Sequence, residues 1–351
     1  MKPYKVLIVD DSAFMRKMIS DIVQQSERLE VVGTARDGVD GLKKLKDLKP
    51  DVVTLDVEMP KMNGLETLER IMKSHPMPVV MLSSTTKSGA KETIEALRIG
   101  AIDFISKPSG PISLDIHKVA SEITEKIIQA AETSSGQQYQ HLRKKFDINN
   151  NEHIPPFIHK QTVVCIGVST GGPKALQQVI TQLPNDFHAP VVIVQHMPAK
   201  FTKSLAERLD ELSAVKVKEA IPGEILRNGV VYIAPGDYHL QLKQLNRSLV
   251  IDINREEPEK GHRPSVNKLF SSVATLKNTN KLAVVLTGMG TDGTDGAMEL
   301  KQLDTRSIII AESQETALIY GMPKSIVEHI NGCLIRRLDE ITSTLVELVN
   351  E

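Results

Sequence analysis

The chain has 351 residues, 40% hydrophobic and 25% charged, with a formal net charge of −1. That length predicts two or three domains, each able to bury a core without disulfide or structural-metal help. Near-neutral charge removes a global field toward nucleic acid or anionic membrane, two lone cysteines exclude a disulfide framework, and 3% aromatics without Trp weaken any stacking platform.

In chain order, short apolar runs alternate with segments of helical period, the pattern of βαβ units around a parallel sheet. Strands are predicted at Lys5–Val9, Glu30–Ala35, Val52–Leu55, Val79–Ser83 and Asp103–Ser106. Helices between and after them are predicted at Ala13–Gln25, Gly38–Leu48, Gly64–Ser74, Lys91–Ile99 and Leu114–Ala131. Residues 132–161 are polar and Gln/Asn-rich, with a basic cluster at Arg143–Lys145, and read as a linker. Alternation resumes with strands at Val163–Gly167, Val191–Gln195, Val215–Glu219, Val230–Ala234, Lys281–Leu286 and Ser307–Ala311. A hairpin, Leu240–Gln244 and Ser248–Ile253, turns at Asn246. Helices are predicted at Pro173–Leu183, Thr202–Leu212, Val266–Leu276, Gly296–Leu303 and Glu340–Val349. No apolar run reaches the roughly 18 residues of a membrane span, and the N-terminus does not read as a signal peptide, so the expected compartment is the cytoplasm.

In the first half, Asp10 and Asp11 follow the first strand, Asp56 the third, Ser83 ends the fourth and Lys107 follows the fifth. The carboxyl ends of parallel strands share one edge, so these residues meet in one crevice. Clustered carboxylates repel, and a hard divalent cation relieves that repulsion. A cation beside Asp56, with Lys107 near, suits a carboxylate accepting a phosphoryl group. On these motifs residues 3–125 resemble the receiver domain of two-component response regulators, a flavodoxin-like (βα)5 fold. The resemblance implies Asp56 as phosphoacceptor; Asp10, Asp11, Asp56 and the Glu58 carbonyl as Mg2+ ligands; Ser83 and Phe104 as switch residues; and Lys107 as the phosphate-contacting lysine.

In the second half, G-V-S-T-G over 167–171 matches the nucleophile elbow G-x-S-x-G, whereas G-x-G-x-x-G is not met. His196 directly follows the next strand in QHMP, and LTGMGTDGTDG supplies Asp292 and Asp295 with glycine turns able to present N–H groups to an oxyanion. Serine needs a base, and the base needs a carboxylate to set its tautomer. The order serine, histidine, acid differs from that of α/β-hydrolases. Spacing leaves the choice between Asp292 and Asp295 open.

Taken together, GVSTGGP, QHMP, YIAPGDYH, HRPSVNKLF, LTGMGTDG and YGMPKS resemble the chemotaxis-specific CheB methylesterases over roughly 160–349. The resemblance implies Ser169 as nucleophile, His196 as general base, Asp292 as its orienting acid and the Met289 amide in the oxyanion hole. Thr170, Arg263 and Ser265 would line the site, and His262 ranks as a second, weaker base candidate. It further implies hydrolysis of glutamyl γ-methyl esters, with glutamine deamidation, on methyl-accepting chemoreceptors, under phosphorylation by a chemotaxis histidine kinase. No cofactor is expected in the esterase site. A catalytic domain over 162–351 is expected to be a doubly wound, mostly parallel α/β fold with an antiparallel hairpin. The competing expectation is a response regulator whose output only binds receptor or DNA. Against DNA, the second half lacks a helix-turn-helix signature and a basic recognition helix.

Overall fold

A computed structural model describes residues 2–107, 116–134 and 161–350. Most of the predicted linker, the basic cluster at 143–145 and the predicted start of the last helix of the first half lie outside the described residues. The chain forms two compact units, one holding the described residues up to Ser134 and the other those from Gln161 onward.

In the first unit five strands alternate with five helices: β1 Tyr4–Val9, α1 Ala13–Gln24, β2 Leu29–Ala35, α2 Gly38–Leu48, β3 Val52–Asp56, α3 Gly64–Ser74, β4 Val79–Ser83, α4 Lys87–Ile99, β5 Asp103–Ser106 and α5 Ile116–Ser134. The sheet is parallel in the order β2-β1-β3-β4-β5. Its central strands are covered on both faces, which is why Val6–Val9, Val52–Val53 and Val79–Leu82 are apolar without alternation. Side-chain caps start the helices: Ser12, Asp37, Asn63 and Thr86 accept the N–H groups of Met15, Asp40, Glu66 and Gly89. The Thr86 cap explains why α4 begins four residues before the predicted Lys91. Its first turn, Lys87-Ser88-Gly89, has no apolar period to reveal it. Strand order reverses between β1 and β3, so the crevice beyond their carboxyl ends receives Asp10 and Asp56.

The second unit comprises β6 Gln161–Val168, α6 Gly172–Ile180, β7 Val191–Gln195, α7 Phe201–Leu212, β8 Lys216–Glu219, β9 Val230–Ile233, β10 His239–Leu245, β11 Ser248–Asn254, α8 Val266–Ala274, β12 Thr279–Val285, α9 Thr294–Leu303, β13 Ile308–Glu312, α10 Met322–His329, β14 Leu334–Arg336 and α11 Leu338–Asn350. Seven strands make a parallel sheet, β14-β13-β12-β6-β7-β9-β8. The pair β10–β11 is a separate antiparallel hairpin, turning at Asn246 with φ +57°. Its inward residues Leu240, Leu242, Leu249 and Ile251 join the core formed with α8 and the sheet. Ser272 on α8 accepts the Leu242 N–H at 2.9 Å. The predicted elements omit β14 and α10. The first is a three-residue edge strand with only Leu334 buried, and the second is one short helix opened by Pro323. Cys165 is fully buried, burial pushes its thiol pKa up, and both cysteines are free thiols.

Candidate active site and acidic crevice

In the second unit, chain reversal between β6 and its neighbours β7 and β12 opens a crevice at their carboxyl ends. Val168 and Gln195 are partners in the β6–β7 register, so the residues that follow them, Ser169 and His196, leave the sheet side by side. The Ser169 turn is held from three directions. Its N–H donates to the Thr287 carbonyl at 3.0 Å, and its carbonyl accepts the Gly172 N–H at 2.8 Å and Gln195 Nε2 at 3.0 Å. The turn needs Gly171 at φ +79°, and Gly288 lets backbone approach the serine, since a Cβ there would lie 2.8 Å from Ser169 Cβ.

His196 Nε2 lies 2.8 Å from Asp292 Oδ2, with 7% and 1% of the two side chains exposed. Asp292 also accepts Ser265 Oγ at 2.9 Å, the Val266 N–H at 2.7 Å and the Asn267 N–H at 3.0 Å. The carboxylate thus sits on the N-terminus of α8, where the exposed N–H groups and helix dipole favour negative charge. Burial alone would raise its pKa. The His196 contact and the Asn267 and Val266 N–H groups outweigh burial and hold it at about 2. An ionised Asp292 can only accept, so Nε2 carries a proton, and in the neutral ring Nδ1 presents a lone pair. Nδ1 is buried and has no hydrogen-bond partner, so Ser169 Oγ is not bonded to it in this state. Such contacts are often long before substrate arrives.

The other residues singled out in the sequence divide. Asp295 is over half exposed and pairs with Lys260 at 2.5 Å, so His196 meets Asp292 rather than Asp295. Met289, 40% exposed, follows Gly288 beside Ser169. The Thr170 carbonyl accepts the Thr287 hydroxyl at 2.9 Å. Ser265 holds Asp292, whereas Arg263 Nη1 donates to the Glu256 carbonyl at 3.0 Å. His262 stacks on the His196 ring, centroids 3.9 Å apart and planes 6° from parallel.

Two supporting residues escaped the sequence reading. Asn267 Oδ1 accepts the N–H groups of Gly293 at 2.8 Å and Gly296 at 3.0 Å, clamping the loop that carries Asp292. Glu312, fully buried at the end of β13, accepts the Thr287 N–H at 2.8 Å. Burial raises its pKa to about 7 against the opposing Thr287 N–H. The N-cap position of Ser265 ahead of Asn267 was the available signal for the first. Nothing local marks the second.

In the first unit, carboxylate oxygens of Asp10, Asp11 and Asp56 lie within 4.8 Å of one another. Lys107 Nζ lies 2.6 Å from Asp56 and 3.0 Å from Asp10. Burial and the neighbouring Asp10 raise the Asp56 pKa to about 6, although Lys107 pulls it down. Crowded, partly desolvated carboxylate oxygens with one ammonium are the donor chemistry a small hard cation satisfies. Glu58 follows closely, its N–H donating to Asp56 Oδ1 at 3.4 Å. Ser83 Oγ donates to the Gly89 carbonyl at 3.1 Å and accepts from Thr93 Oγ1 at 2.7 Å, so α4 holds this hydroxyl. The Phe104 ring is buried, with Lys126 Nζ 5.0 Å from its centroid.

Residues 164–345 match the CheB methylesterase family and residues 6–119 the response regulator receiver domain. The chain is 52% identical over 357 residues to a protein-glutamate methylesterase/protein-glutamine glutaminase of Oceanobacillus iheyensis, covering 99% of each. It is 44% identical over 355 residues to the protein of the same name in Bacillus subtilis, again covering 99% of each. The Thermotoga maritima CheB methylesterase catalytic domain superposes with a TM-score of 0.51 at 44% identity, covering 54% of this chain and 99% of that domain. These matches run against a non-catalytic receptor- or DNA-binding output. The chain belongs to the CheB methylesterase family, with a response regulator receiver domain ahead of the methylesterase domain.

Proposed function

We propose that this chain is a phosphorylation-activated serine esterase that hydrolyses glutamyl γ-methyl esters on methyl-accepting chemoreceptors and deamidates glutamines there. The observation that carries the reading is the buried His196 imidazole, bonded through Nε2 to an ionised Asp292 and leaving its strand next to the Ser169 turn. Nδ1 takes the hydroxyl proton as Ser169 Oγ attacks the ester carbonyl, and Asp292 stabilises the imidazolium. The Met289 N–H helps hold the oxyanion. Collapse breaks the carbonyl–methoxy bond, and the leaving methoxy takes the proton from Nδ1 to depart as methanol. Water, deprotonated by the same nitrogen, then attacks the acyl-enzyme. The proton returns to Ser169 Oγ, and the glutamate carboxylate is released. With a glutamine substrate the leaving group is ammonia.

Residues 3–125 form the input, 162–351 the catalytic output and 132–161 the connection. A chemotaxis histidine kinase supplies the phosphoryl group to Asp56. Asp10, Asp11, Asp56 and the Glu58 carbonyl would hold Mg2+, which when bound neutralises charge on the phosphoryl oxygens. Lys107 offsets the remainder, and Ser83 and Phe104 change partners in response. Among the described residues no helix is long and apolar enough to cross a membrane, and the proposed site of action is the cytoplasmic side of the receptors. Methanol release from methylated receptor membranes is the test. Ser169→Ala is expected to abolish it, and release at the wild-type rate would overturn the serine mechanism.

A further inference from the structure

We propose that His262 is a positioning residue for His196: its ring is a wall that fixes the plane of the general base. The inference rests on the esterase reading above and assigns His262 no proton transfer. His196 is attached at Cβ and bonded to Asp292 at Nε2. Rotation about the line joining those two points costs the hydrogen bond little, yet it swings Nδ1 out of the plane from which it meets Ser169. The hydrogen bond therefore does not hold Nδ1 by itself. A parallel ring 3.9 Å away blocks that swing on one face.

The wall is itself built to stay in place. Glu259 and His262 exchange backbone hydrogen bonds of 3.0 and 2.9 Å around a two-residue turn, with Lys260 at φ +49° and Gly261 at φ +85°. Lys260 then pins the turn to the acid loop, its Nζ 2.5 Å from Asp295 Oδ2 and 3.3 Å from Thr291 Oγ1. On the other side of His262, Ser265, Val266 and Asn267 bind Asp292 itself. Residues 259–267 thus grip the Asp292 loop at both ends, so the stacked ring and the orienting carboxylate move as one frame. This also gives Lys260 and Asp295 a use that the hydrolysis steps do not.

His262 is half-buried and outside the core, so small substitutions there leave folding intact. The test compares His262→Ala with His262→Phe, which keeps a flat ring and removes both nitrogens. On a γ-methyl glutamyl peptide, His262→Ala is expected to lower kcat by about tenfold to a hundredfold with KM unchanged, the scale of a misplaced catalytic group. His262→Phe is expected to restore most of that loss, and Lys260→Ala to fall between. In proton NMR spectra the ring C–H signals of His196 should stay sharp in wild type and His262→Phe and broaden in His262→Ala. Wild-type kcat in His262→Ala, or His262→Phe as slow as His262→Ala, would overturn the proposal. Activity surviving in Ser169→Ala would instead strike the esterase reading, and the NMR comparison reports on His262 independently of turnover.

Discussion

Asp292 is held by His196, the Ser265 hydroxyl and two α8 N–H groups, so its two oxygens have nothing but donors around them. Asp292→Asn places an NH2 among those donors and removes the charge that fixes the Nε2-protonated tautomer. The expected result is a kcat loss on the order of 10³–10⁴ with the fold retained. Steady-state hydrolysis of a glutamyl methyl ester checks it, and a loss smaller than about tenfold would count against the assigned role. Glu312 poses the opposite electrostatic problem, because it is fully buried and burial lifts its pKa from 4.5 to about 7. Folded protein therefore holds a proton that the unfolded chain has released between those values. Stability from this group is fully present below pH 4.5 and is lost as pH rises to about 7, roughly 3 kcal/mol in all. Glu312→Gln should flatten that part of the curve, as read by urea midpoints across the interval. An unchanged slope would show that Glu312 titrates normally.

Elements set the spacing that these residues need. Gly171, at φ +79°, ends the Ser169 turn and opens α6, and a Cβ there would meet Leu318 Cδ2 at 2.8 Å. Gly171→Ala should cost about 1–3 kcal/mol and lower kcat as the turn shifts. Gly223 has a similar φ of +77° with nothing within 4 Å of an added Cβ, so Gly223→Ala should cost stability alone. Denaturation midpoints and kcat of the pair separate backbone strain from damage to the site, and equal kcat losses would refute the distinction. The same logic explains what the sequence made legible. Strands covered on both faces carry near-continuous apolar runs, so β1, β3, β4, β6, β7 and β12 stood out, and their ends marked Asp10, Asp56, Ser169 and His196. The edge strand β14 buries little, and the first turn of α4 is polar, so neither left a periodic signal. Asn267 and Glu312 act through contacts about 25 residues away along the chain, beyond any local spacing rule.

For the whole molecule, the division into two compact units separates two chemistries that can be removed independently. The first unit gathers Asp10, Asp11, Asp56 and Lys107, and the second gathers Ser169, His196 and Asp292 with no metal-ligating cluster among its described residues. Near-neutral net charge thus conceals two local acidic sites of unlike purpose: a crowded one that a cation relieves, and a solitary one that N–H groups stabilise. Basal ester hydrolysis should survive chelation of divalent cations, because His196, oriented by Asp292, activates Ser169 without a metal. A small phosphodonor such as acetyl phosphate, added with Mg2+, should raise methanol release by wild type. Asp56→Asn should hold the basal rate and lose the rise, and chelator should erase the rise without touching the basal rate. The measurement is methanol release under four conditions, with and without donor and with and without chelator. A rise that persists in Asp56→Asn would place the phosphoryl acceptor elsewhere, and a basal rate that falls with chelator would mean that the esterase site itself depends on metal.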